Sequence, residues 1–124
     1  MRRRILFFIF IFATLLWISN FFAEKYNLYF LTNWFDTISH TLGGIVVASV
    51  FIYTAMLRNS LPKRAKVFLF VFGVGVIWEC YELYMNLTHI ADKGYLLDTA
   101  FDLFFDLFGA YIACIFVYKK SYAK

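Results

Sequence analysis

The chain has 124 residues, of which 63% are hydrophobic and 23% aromatic, with a single Pro and a formal net charge of +4. Such a composition excludes an ordinary soluble domain and predicts an all-α integral membrane protein. Its positive charge is no nucleic-acid signature, because the basic residues are sorted by loop instead of gathered on one face.

Four apolar stretches, about 5–23, 35–57, 65–87 and 98–118, each approach the roughly 20 residues that a helix needs to cross a bilayer. They leave little chain over, so the expectation is one transmembrane domain spanning 1–124. Ten of the twelve Lys and Arg residues lie before the first stretch, between the second and third, or after the fourth; only Lys25 and Lys93 fall in the other two loops. That sorting predicts cytoplasmic N- and C-termini in a multi-pass protein of the cell (inner or plasma) membrane, with both remaining loops facing outward. Arg2, Arg3 and Arg4 ahead of the first stretch resemble a signal peptide. The stretch is longer than a signal core and Phe21-Phe22-Ala23 is a poor cleavage site, so a retained anchor is expected.

Span one carries no ionisable group between Ile5 and Trp17 and reads as a scaffold helix facing lipid. The connection after it holds Tyr26, Tyr29, Phe30 and Trp34, residue types that favour the headgroup level. A short interfacial segment is expected there. Span two opens on Asp36, Ser39 and His40, followed by Gly43, Gly44 and Ala48. These small residues, like Gly73 and Gly75 in span three and Gly109 and Ala113 in span four, read as helix-packing positions. Pro62 marks a tight turn before span three. Cys80 and Cys114 differ in depth by roughly 15 Å, too far for a disulfide, and read as buried thiols. The sequon at Asn86-Leu87-Thr88 lies too near the membrane to serve. His89, Asp92 and Lys93 read as solvated loop residues, and Trp78 as a packing residue.

The acids carry the chemistry. An ionised Asp at mid-bilayer costs roughly 2.5–3.5 kcal/mol on insertion scales, yet several of the eight carboxylates lie in or at the ends of spans. Asp98, Asp102 and Asp106 are spaced i, i+4, i+8 and share an arc of roughly 80° on one helix face. Three like charges stacked in this way repel unless a cation or protons intervene. Glu79, Glu82 and Asn86 share a face of span three. Glu79 and Asp106 both lie about 12 Å below the outer end, and Glu82 and Asp102 about 7 Å. Asp36 is near the surface of span two, with His40 one turn deeper.

These motifs, Asp36-x-x-x-His40 with Gly43-Gly44, Trp78-Glu79-x-x-Glu82, Asp98-Thr99-x-x-Asp102 and Gly109-Ala110, resemble the YjdF-like membrane proteins and, more distantly, the VanZ-like family. The similarity covers about 35–113. It implies an Asp/His pair, a Glu-bearing span and a late Asp-and-Gly motif in that order. Asp106 departs from the pattern, where an Asn or small residue is more usual. The resemblance brings no settled mechanism; VanZ-like proteins are associated with resistance to the glycopeptide teicoplanin.

The reading of the residues is a pocket open to the outer face that holds a divalent cation (Mn, Fe, Zn or Mg). Its candidate ligands are His40, Glu79, Glu82, Asp102 and Asp106. Asp36, Asn86 and Asp98 are candidate outer partners or headgroup contacts. If the protein is an enzyme, its chemistry is metal-assisted, on a lipid headgroup or envelope precursor, with Glu79 or Glu82 as general base. The alternatives are a non-catalytic envelope factor whose protonated acids form a buried polar network, and a cation or proton carrier. Membrane lipids are the expected partners, with a lipid or envelope-precursor ligand in the enzyme reading; oligomeric state is open.

Overall fold

The computed structural model describes residues 1–85, 87, 90 and 93–121. Within them are α1 (Arg2–Tyr26), α2 (Leu28–Leu31), α3 (Asn33–Leu57), α4 (Arg64–Tyr84) and α5 (Tyr95–Ser121). All but α2 are long and apolar enough to cross a membrane. This is the all-α architecture that the apolar runs predict, with the one-turn α2 between the first two long helices.

The breaks between helices have local causes. Asn27 adopts the left-handed region (φ 52°), ending α1 and redirecting the chain into α2; Asn tolerates this conformation better than most residues. Thr32 is extended, and its hydroxyl donates to the Leu28 carbonyl at 2.9 Å. At the far end of α3, Asn59 is again left-handed (φ 56°). Its N–H bonds the Met56 carbonyl at 3.0 Å, and the Ser60 N–H bonds Ala55 at 3.1 Å. This paired closure satisfies the last carbonyls of α3. Arg2 adds a cation there, donating to the Met56 carbonyl at 2.6 Å and to Asn59 Oδ1 at 2.8 Å. Arg64 stacks over the Tyr118 ring at 5.2 Å, and the Tyr118 hydroxyl donates to the Pro62 carbonyl. Basic residues at the N-terminus and ahead of α4 therefore fasten this end of the bundle.

The third predicted stretch runs past its helix. α4 stops at Tyr84 because the Leu87 N–H turns back to the Glu82 carbonyl at 3.0 Å. Cys80 is exposed on the outside of α4, which corrects its reading as a buried thiol, whereas Cys114 is buried.

Helix α3 packs on α1, α4 and α5. The apolar core is built from Ile52, Ala48, Val67, Val71, Ala113 and Val117, with Ile5 reaching in from α1. Elsewhere large apolar side chains point outward, among them Phe7 and Phe10 of α1, Leu69 and Ile77 of α4 and Phe104 of α5. Water would penalise so much apolar surface, whereas lipid tails do not. The chain is therefore a multi-pass membrane protein whose outer faces contact lipid.

The closest approach is between α3 and α5. A Cβ on Gly44 would overlap the backbone carbonyl of Asp106, and one on Gly109 would overlap the carbonyl of Thr41 and lie 2.7 Å from the Ile45 nitrogen. Gly43 and Gly73 would meet nothing within 4 Å. Of the small residues read as packing positions, Gly44 and Gly109 are thus the pair that sets the helix crossing.

Candidate metal centre

The glycine crossing decides where the acids go. Gly44 is one turn beyond His40 on α3, and it receives the α5 backbone at Asp106 itself. Asp102 is one turn before Asp106 on the same face of α5. Asp36 is one turn before His40. Four polar side chains from two helices therefore meet in the bundle interior.

His40 is the hub, only 7% exposed. Its Nδ1 lies 3.2 Å from Asp106 Oδ1. Its Nε2 lies 3.7 Å from Asp36 Oδ1 and 3.8 Å from Asp102 Oδ1. The first distance is a hydrogen bond; the other two are charge contacts just beyond hydrogen-bond length. Asp102 and Asp106 are buried, and Asp36 is half-buried. One ligand atom each from Asp36, His40 and Asp102 lies within 4.8 Å of the others, so this group can hold a metal ion.

Asp106 is accommodated by a third helix. A Cβ on Gly75 of α4 would come within 2.5 Å of Asp106 Oδ2 and 2.8 Å of Leu103 Cδ2. Gly75 therefore makes room for a carboxylate, a role that its spacing did not reveal.

Glu79, also on α4, is buried. Its Oε2 accepts a hydrogen bond from Thr99 Oγ1 of α5 at 2.8 Å. It lies one turn beyond Gly75, which faces the Asp106 carboxylate, but it stands outside the tight Asp36–His40–Asp102 group. Glu82 is half-buried, and its Oε1 accepts from Trp78 Nε1 at 2.7 Å. Trp78 is thus a hydrogen-bond donor as well as an apolar surface. Asp98 and Lys93 are exposed. Asn86, His89 and Asp92 lie outside the described residues. The Ser39 hydroxyl lies 3.3 Å from Asn20 Oδ1 of α1 and 3.4 Å from the Phe35 carbonyl, two acceptors for its one proton.

The charge balance is lopsided. One buried imidazole faces three carboxylates, two of them buried, and α4 adds the buried Glu79. Even a protonated His40 would leave ionised acids in excess, and uncompensated buried charge is expensive. Either protons or a cation must make up the difference.

The chain belongs to a family described as predicted membrane proteins (DUF2238), whose profile matches residues 1–121. Neither the curated proteins nor the solved structures give a match.

Proposed function

We propose that this membrane protein holds one divalent cation between α3 and α5. Its ligands are His40 Nε2, Asp36 and Asp102, and Asp106 orients the imidazole through Nδ1. The observation that carries this reading is the division of labour at His40. One ring nitrogen is held by a buried carboxylate and the other faces two more, as in carboxylate–histidine–metal arrangements. Bonds of about 2.1 Å separate neighbouring ligand atoms by about 3.0 Å in octahedral sites and about 3.4 Å in tetrahedral ones. The separations of 3.7 and 3.8 Å would close by about 0.3–0.4 Å around a tetrahedral ion and by about 0.7–0.8 Å around an octahedral one, and the three ligand atoms lie within 4.8 Å of one another. Oxygen-rich donors with one imidazole suit Mn, Fe, Zn or Mg.

Relative to the set expected from sequence, this moves Asp36 among the ligands and Asp106 one step out. It also takes Glu79 and Glu82 out of the expected ligand set, Glu79 to a place beside the cation and Glu82, engaged by Trp78, to the rim. The charge sorting supports cytoplasmic termini in a plasma membrane and one transmembrane domain. In that orientation the site belongs to the outer half of the bilayer, at a depth where a lipid headgroup or lipid-linked envelope precursor can reach it. The chemistry is then metal-assisted reaction at such a headgroup, with Glu79 as base, because its Oε1 has no donor among the described residues. The YjdF-like and VanZ-like motif order agrees with an envelope role.

A second reading has its own support. His40 lies within 4 Å of three carboxylates, two of them on α5, which makes it the centre of a salt-bridge network that locks α3 to α5. Thermal unfolding in detergent separates the two. Mn²⁺ at about 100 times its dissociation constant should stabilise the wild type by about 2.7 kcal/mol. EDTA should reverse the gain, and Asp36→Asn or Asp102→Asn should abolish it. A melting temperature indifferent to Mn²⁺, Zn²⁺ and Mg²⁺ would favour the network.

A further inference from the structure

Glu79 poses a problem that the His40 contacts leave unsolved. The residue is 6% exposed, and its Oε1 is fully buried with no hydrogen-bond donor among the described residues. Leaving such an oxygen unpaired costs about 1–3 kcal/mol, and more if it is charged. Buried polar atoms in folded proteins almost always find a partner. The other oxygen, Oε2, is taken by Thr99 at 2.8 Å. Glu79 lies one turn beyond Gly75, which faces the Asp106 carboxylate, and its partner Thr99 lies three residues before Asp102, so both border the polar interior of the bundle.

The proposed cation has a complementary deficit. Three protein ligands leave an octahedral ion such as Mn²⁺ or Mg²⁺ short of its coordination number, and these ions retain several waters. Each such water has protons to donate, while Glu79 has an oxygen to receive one.

Resting on the cation reading above, we propose that Thr99 is a positioning residue of this centre: its hydroxyl engages Glu79 Oε2 and thereby fixes Oε1 as the acceptor for the cation's hydration shell. Thr99 lies three residues before Asp102 on α5. The helix that carries one ligand thus also orients the acid supplied by α4. Without the hydroxyl, Glu79 is free to rotate, and its second oxygen loses its donor.

The test is a Mn²⁺ titration of the full chain in detergent, followed by electron paramagnetic resonance, on wild type, Thr99→Val and Thr99→Ser. Valine keeps the side-chain shape and removes the donor. Removing outer-shell partners typically lowers metal affinity 10–100-fold. Because Thr99 acts through Glu79, Thr99→Val should weaken Mn²⁺ binding by about tenfold, the lower end of that range. Thr99→Ser, which keeps the hydroxyl, should bind like the wild type. Equal affinity in Thr99→Val and wild type would overturn the role of Thr99 while leaving the cation site intact. So would equal weakening in both variants, since that would trace the loss to packing. A wild type that binds no Mn²⁺ would instead overturn the cation reading, and this inference with it.

Discussion

Gly44→Ala and Gly109→Ala are each expected to destabilise the protein by about 3 kcal/mol or more. Overpacking a core usually costs about 1–3 kcal/mol because side chains can shift. Here the obstruction is backbone, the Asp106 carbonyl for Gly44 and the Thr41 carbonyl for Gly109, so relief requires the helices themselves to part. Gly43→Ala and Gly73→Ala are the controls, since a Cβ at either meets nothing within 4 Å. They should be neutral, or stabilising by up to about 1 kcal/mol through helix propensity. Equilibrium unfolding in mixed micelles reads all four. If Gly44→Ala were as stable as Gly43→Ala, the α3–α5 crossing described here would be wrong. The same separation would draw Asp102 and Asp106 away from His40, so surviving Gly44→Ala protein should also lose Mn²⁺ binding.

His40→Leu is the second substitution with a large expected effect. It removes the one group able to carry positive charge from among Asp36, Asp102 and Asp106 and fills the space with an apolar side chain. Breaking a buried pair and stranding its partner costs about 3–5 kcal/mol, and two buried carboxylates, Asp102 and Asp106, are stranded here. Neutralising one of them should recover part of the loss. His40→Leu/Asp102→Asn is therefore expected to be more stable than His40→Leu alone. His40→Leu/Asp98→Asn should gain little, because Asp98 is exposed. Unfolding measured without added metal makes this a test of the electrostatics alone. A His40→Leu protein as stable as the wild type would mean that the three carboxylates do not depend on His40 for compensation.

The helices were legible because lipid makes a simple demand. About 20 apolar residues mark each crossing, and the basic residues gather at the termini and in one of the connections. Convergence of acids was also readable, since Asp102 and Asp106 share a face and His40 and Asp36 share another. Which acid does what was not readable. Depth placed Asp106 beside Glu79, but whether Asp102 or Asp106 meets Nε2 depends on the rotation of α5 about its axis. That rotation is fixed by the Gly44–Asp106 backbone contact and by the space at Gly75. Neither has a signature beyond a small residue in a helix. Thr99 was hidden for a similar reason. Its bond to Glu79 joins two helices, and periodicity within one helix carries no information about a partner on another. Trp78 and Glu82, by contrast, sit at i, i+4 on one helix, a spacing that allows their hydrogen bond. The exposure of Cys80 follows from its place next to the buried Glu79 on a helix with only one covered face.

The central claim is that the His40 centre holds a cation, and metal content tests it most directly. Full-length protein purified without chelator and analysed by elemental mass spectrometry should carry close to one equivalent of a divalent metal. Asp102→Ala should remove that metal, while Asp98→Ala should retain it. Wild-type protein that is folded, free of metal and unable to take up Mn²⁺, Zn²⁺ or Mg²⁺ on dialysis would contradict the account and leave a purely structural salt-bridge network around His40.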